Sequence, residues 1–217
     1  MSPTKEGFMT KLRPYILGMV AALIATIAIA QVNVVPQVGL VTATLRQVTY
    51  SAVALNLPPA ASATDIACIA GSSSKTVYVK RISITGTAAT LVTAPFTLLR
   101  RASVDTGGTA ATTTANWANT IAKNDSTNPT ATATLISYSA NPTINDTSPT
   151  YLRSAWTTLP VTSAGTSIRP IEWFFSSGLS FDQEAILRGT AQQLCINLNA
   201  TSITTGLIHA DIQWIEQ

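Results

Sequence analysis

The alternation in Leu207-Ile-His-Ala-Asp-Ile-Gln-Trp-Ile-Glu216 constrains this chain more than any other feature. In an extended backbone Ile208, Ala210, Ile212 and Trp214 share one side, and His209, Asp211 and Gln213 share the other. A helix repeats every 3.6 residues and would scatter these groups, so the segment reads as a strand with one face on a core. Its polar side, His209, Asp211 and Gln213, is a candidate interface face. Leu194, Ile196 and Leu198 repeat the pattern, with Cys195 and Asn197 opposite. The two segments are expected to form a closing hairpin that buries Trp214.

Upstream, short strand-like runs recur between turn clusters: Thr76–Thr85, Phe96–Arg101, Ala131–Tyr138, Leu152–Leu159 and Ile168–Phe175. Gly71-Ser-Ser-Ser74, Gly107-Gly108 and Asn141-Pro142 punctuate them. Thr109–Pro129 is weakly patterned and reads as a surface excursion, and Glu172-Trp-Phe-Phe175 reads as a buried strand. The 34 Thr and 19 Ser suit pleated sheets, and the 11% of charged residues excludes both charged disordered tails and coiled coils. Strands without an intervening helical period imply an all-β, antiparallel β-sandwich, jelly-roll-like in form, over residues 64–217. Residues 31–63 read as a strand and linker segment.

Residues 1–30 differ from all of this. Lys5, Lys11 and Arg13 against Glu6 give this segment +2 of the chain's net +3. An apolar stretch from Tyr15 to Ala30 follows, predicting an N-terminal hydrophobic helix ahead of the sandwich. A basic cap, an apolar run and a small-residue Ala28-Ile-Ala30 end have the form of a secretory signal. A membrane anchor and a helix buried in an assembly fit the same pattern, and the three stay open. Gly7-Phe8 before an apolar helix resembles a type IV prepilin processing site. Leu12 stands where that family has Glu, and Lys11 and Arg13 interrupt the apolar stem.

The remaining charges, ten Lys and Arg against nine Asp and Glu, are nearly balanced. Lys80-Arg81 and Arg100-Arg101 would make a basic patch only on neighbouring strands, and no specific nucleic-acid partner is expected. No catalytic residue is singled out: His209 is the sole histidine, and no Gly-x-Ser-x-Gly occurs to supply an activated serine. Metal-ligand spacings are absent as well, and Asp182 with Glu184 are too few oxygens for calcium, so no metal site or cofactor is expected. Pairs among Asp125, Asp146, Glu172 and Asp182 would serve glycoside hydrolysis if they met in space. Of the tryptophans that would serve sugar stacking, Trp214 is committed to the core and Trp173 lies in the buried-strand segment, which leaves Trp117 and Trp156. Cys68 and Cys195 are the only cysteines. They are a candidate disulfide closing a loop of well over a hundred residues, worth ~4–5 kcal/mol by chain entropy. Both also suit a core as small hydrophobes.

Leu187–Asn199 and His209–Glu216, together with Lys75–Gly86 and Asn128–Pro142, are similar to tailed-phage and prophage virion structural proteins. The resemblance covers roughly Asp65 to Gln217. It implies a non-enzymatic capsid, decoration or tail component with a jelly-roll fold, located in a virion beside other virion proteins. A sheet protein this poor in Lys and Glu lacks the charges that keep edges apart, which points to a homo-oligomer. The alternative expectation is an exported bacterial cell-surface or filament subunit that binds glycans, with membrane contact through residues 1–30.

Overall fold

The computed structural model describes residues 47–161, 169–175, 185–203 and 205–217. The hydrophobic helix expected within residues 1–30 lies outside them. Twelve strands carry the described chain: β1 (Thr49–Leu57), β2 (Ala63–Ala70), β3 (Thr76–Thr87), β4 (Val92–Arg101), β5 (Thr109–Ala110), β6 (Ala122–Lys123), β7 (Thr134–Ala140), β8 (Thr150–Leu159), β9 (Ile171–Phe174), β10 (Ala185–Arg188), β11 (Gln193–Thr201) and β12 (Leu207–Glu216). They form two six-stranded antiparallel sheets packed as a β-sandwich. One runs β10-β3-β12-β1-β6, with β9 also pairing β3, and the other runs β5-β7-β2-β11-β4-β8.

The core forms where the two inner faces meet. Ile208, Ala210, Ile212 and Trp214 of β12 are all fully buried, opposite Leu194, Ile196 and Leu198 of β11. The Trp214 ring stacks on Tyr50 of β1 at 5.5 Å between centroids, because Tyr50 is its register partner across the ladder. The expected closing hairpin is not formed. β12 lies between β1 and β3 in one sheet, and β11 between β2 and β4 in the other. The connection crosses between sheets, so each strand buries its apolar face against the opposite layer rather than beside its neighbour in sequence. Ile203 is buried in this crossing, and a Cβ at Gly206 would stand 2.0 Å from its side chain, so only glycine fits there.

Three further expectations are corrected. The sandwich begins at Gln47 rather than near residue 64, since β1 pairs β12 along nearly its whole length. Pro58 and Pro59 follow β1 directly and close it. The Thr109–Pro129 excursion is anchored in the core: two short 3-10 turns deliver Trp117, which is buried and donates its indole N–H to the Ala210 carbonyl at 3.0 Å. Glu172-Trp-Phe-Phe175 alternates rather than being buried throughout, with Trp173 and Phe175 inside and Phe174 60% exposed.

At the end of β12 the buried Glu216 carboxylate accepts from the backbone N–H groups of Thr132 and Ala133, each at 2.9 Å. It also accepts from the Thr132 hydroxyl and the Trp214 indole. Burial alone would raise its pKa, but these donors outweigh burial and hold it below the usual carboxylate value.

Trp117→Ala is expected to lower the unfolding free energy by about 3–5 kcal/mol in urea titration, and Trp117→Phe by less, because the ring packing is retained. A carboxylate with a depressed folded pKa contributes stability that is present above its unfolded pKa and lost as pH falls through the folded one. Glu216→Gln should therefore be less stable than the wild type at pH 7, with the difference narrowing below about pH 4.5 as wild-type Glu216 is protonated. Parallel unfolding curves from pH 7 to pH 3 check this.

Candidate functional site

The chemistry concentrates on the outer face of the second sheet, where alternation predicts solvent. β2 carries Asp65 and Cys68 there, and β11 carries Gln193, Cys195 and Asn197. β4 ends in Arg101, and Asp105 follows in the next turn. All of these side chains are buried. Cys68 and Cys195 are register partners across β2 and β11, and their sulfurs are joined in a disulfide. Ile136 and Tyr138 of β7 pack on its flank.

Arg101 grips Asp65 with two parallel hydrogen bonds, Nε to Oδ2 at 2.5 Å and Nη2 to Oδ1 at 2.9 Å. The Asn197 amide donates to the same carboxylate. Nη1 of Arg101 reaches the Asp146 carbonyl at 2.8 Å, while the Asp146 carboxylate accepts from the Ala102 N–H at 2.6 Å. The loop around residues 102–105 is thereby pinned to a second loop near residue 146. A bidentate guanidinium–carboxylate pair satisfies both partners geometrically, which is what makes burial of the two charges tolerable. Burial would lower the Arg101 pKa, yet the hydrogen bond and charge of Asp65, with Asp105 and Asp146, leave it raised.

Asp105 has no such partner. Its Oδ1 is buried without a hydrogen bond and lies 3.9 Å from Arg101 Nε, and Oδ2 lies 3.9 Å from Cys68 Sγ. A disulfide sulfur has no proton to give, so this last approach is contact only. Burial, then the neighbouring Asp65 carboxylate, push the Asp105 pKa up to about 7, against the opposing pull of Arg101 and Gln193. The Gln193 carboxamide lies close enough to Asp105 to oppose that rise, although its buried Nε2 makes no hydrogen bond of full geometry. Tyr138 is pushed up to about 12 by burial and by the same two carboxylates. Cys68, Cys195, Asp65 and Asp105 present four ligand-type atoms within 4.8 Å of one another.

The other sequence candidates sit apart from this cluster. His209, Asp211 and Gln213 are half-buried on the outer face of the first sheet, opposite Thr85, Ser83 and Arg81 of β3. Arg81 binds Glu172 at 2.6 Å and approaches Asp211 at 3.7 Å. Burial raises the Asp211 pKa, opposed by Arg81. The basic pairs lie on β3 and β4, in different sheets, and Arg101 is committed to Asp65, so they form no common patch. Asp125 closes the turn at Thr127, Asp146 pins its loop and Glu172 pairs Arg81, so the described carboxylates proposed as pairs are distributed over three places. Asp182 and Glu184 lie outside the described residues. Trp173 is buried beside Trp117 and Trp214 in the core, whereas Trp156 is 69% exposed on β8.

Sequence reading missed the Asp65–Arg101–Asp105–Asn197 cluster because Asp65 meets Arg101 and Asn197 across 36 and 132 positions. One signal was present. Asp65 is the lone charge in Ala63-Thr-Asp-Ile-Ala-Cys-Ile-Ala70, a position where an unpaired carboxylate would be costly. Comparison of the chain with protein-family models, curated proteins and solved structures finds no match.

Arg101→Met should destabilise the fold by about 3–5 kcal/mol, because it strands the Asp65 carboxylate in the interior. Adding Asp65→Asn is expected to recover much of that loss in denaturant titration, since no uncompensated charge remains.

Proposed function

We propose that this chain is a non-enzymatic structural protein of a virion, a phage capsid, decoration or tail component that assembles with copies of itself through a jelly-roll sandwich. Strand order supports the jelly roll. Setting aside the two-residue β5 and β6, one sheet reads β1-β12-β3 and then β9 or β10, and the other β7-β2-β11-β4-β8, with β7 an added strand outside β2. The first four strands alternate between layers, as do the last two, and β12 inserts between β1 and β3 while β11 inserts between β2 and β4, as in a doubled Greek key. The resemblance of the segments between Lys75 and Glu216 to virion structural proteins supports the location.

The observation that carries the assembly reading is β8. Among the described residues it pairs only with β4, leaving a ten-residue edge. That edge has one charged residue, Arg153, and neither Lys nor Pro, while Tyr151 and Trp156 are each 69% exposed. Proteins that remain single in solution blunt such edges with charges, proline or bulges, and β8 has a bulge only opposite Leu98 and Leu99. Two surface hollows of about 390 Å³ fit a structural role. One is lined by Leu55, Pro58 and residues 109–115 without a charged side chain, and the other by Lys80, Arg81 and Phe174 without a carboxylate.

The second reading, an exported surface or filament subunit, is favoured by the Cys68–Cys195 disulfide, since disulfides persist in oxidising compartments. Light scattering on the full chain tests assembly. Masses at multiples of the protomer are expected, and Tyr151→Ser with Trp156→Ser should shift them toward the monomer without changing the unfolding curve. A wild-type chain that stays monomeric overturns self-assembly. Intact mass from the native source separates the two locations, a product starting at Gln31 favouring export.

A further inference from the structure

The buried cluster on the second sheet contains more polar capacity than its own members satisfy. Asp105 Oδ1 and Gln193 Nε2 are both buried without hydrogen-bond partners; Asp105 stands beside the Cys68–Cys195 pair and Asp65, and the Gln193 carboxamide stands beside Asp105. An unsatisfied buried group costs ~1–3 kcal/mol, and the Asp105 oxygen, beside two sulfurs and a second carboxylate, belongs to a set of four ligand-type atoms with nothing to coordinate. Elsewhere in this cluster the groups are matched: Asp65 takes Arg101 and Asn197, and Arg101 also takes Asp146.

We propose that the reduced chain binds one zinc ion here, through Cys68 Sγ, Cys195 Sγ and a carboxylate oxygen of Asp105, with Asp65 as the fourth ligand. Zinc takes four ligands tetrahedrally, with bonds of about 2.3 Å to thiolate and 2.0–2.2 Å to carboxylate, which sets ligand atoms roughly 3.3–3.8 Å apart. The four candidate atoms already lie within 4.8 Å of one another. Three of them stand on adjacent strands in fixed register, Cys68 directly opposite Cys195 and Asp65 opposite Asn197, so side-chain rotation rather than backbone movement closes the set. Thiolates select a borderline-soft ion such as zinc over calcium or magnesium. Gln193 Nε2 is placed to donate to the Asp105 oxygen that does not bind the metal, the outer hydrogen bond that metal-ligating carboxylates normally receive. Arg101 remains on Asp65 and offsets part of the negative charge of two thiolates and two carboxylates.

Disulfide and zinc are therefore alternative states of the same pair of sulfurs. A dithiol reductant supplies two electrons and two protons, breaks the Sγ–Sγ bond and is itself oxidised to a disulfide, leaving two thiols. Zinc then displaces both thiol protons to solvent, with that of Asp105 where it is protonated. A chain folding in a reducing cytosol would hold the metal, and one folding in an oxidising compartment would hold the disulfide. The inference stands independently of the assembly reading, because it concerns only residues within one sandwich.

The test uses the full chain, refolded with a phosphine reductant and titrated with Co²⁺ as the spectroscopic substitute for zinc. Expected are one cobalt per chain, thiolate-to-cobalt charge-transfer bands and the intense visible bands of tetrahedral Co²⁺, with zinc displacing the cobalt. The oxidised chain should show none of these. Cys195→Ser should abolish the charge-transfer bands. Because that variant also removes the disulfide and its folding is at risk, Asp105→Asn provides the second arm: it preserves shape and is expected to weaken Co²⁺ binding tenfold or more. A folded, reduced wild type without charge-transfer bands overturns the proposal. So does equal binding by the oxidised chain, or an affinity unchanged in Asp105→Asn.

Discussion

Everything in this fold depends on closing two apolar sheet faces over one another. A strand with period-two patterning has one face it must remove from water, and at ~25 cal/mol per Å² of apolar surface no single strand gains enough alone. β12 illustrates the requirement. Its four inward side chains, from Ile208 to Trp214, are fully buried because β1 and β3 flank them and the second sheet covers them. The chain answers by crossing between layers repeatedly, so that segments adjacent in sequence face one another across the core instead of sharing a ladder. Trp117 extends the same logic to an open side of the sandwich, where a polar excursion brings in one large ring and ties it to the β12 backbone.

The outer faces are treated differently. On the first sheet the polar side chains of β12 meet Arg81 and Glu172 in partly exposed pairs, which contribute little to stability and leave the face hydrated. On the second sheet the loops around residues 105 and 146 cover the face, and the groups beneath are buried. The same local alternation thus yields solvated pairs on one layer and an enclosed acidic, sulfur-containing cluster on the other. Coverage by distant loops, not strand sequence, makes that difference, and it is why the Asp65–Arg101 pair bears on stability whereas the Arg81–Glu172 pair bears on surface character.

Strand placement was largely readable. β3, β4, β7, β8, β11 and β12 all fall on segments whose alternation and turn residues announce them, and the inward faces of β11 and β12 are the ones the pattern assigns. β1 lies within the strand and linker segment of residues 31–63, where Ala gives a weak period and Pro58-Pro59 follows, so its place in the sandwich is not legible locally. β11 and β12 were paired because they are sequence neighbours, a reasonable prior that a layer-crossing topology defeats. The cluster around Asp105 escaped notice because outward positions on a strand read as solvated until a loop is known to cover them.

The sequence alone determined that the chain beyond its N-terminal segment would be built of strands, which side of β11 and β12 would face inward, and that the sheets would carry very few charges. Side-chain alternation is a property of neighbouring residues, so it survives without knowledge of the fold. Only the tertiary structure decided which sheet each strand joins, that Cys68 would stand opposite Cys195, that Arg101 would close on Asp65, and that Asp105 would be left beside them without a partner. Those are meetings between residues 36 to 132 positions apart. They are set by register and by the burial of whole faces, and no local pattern encodes them.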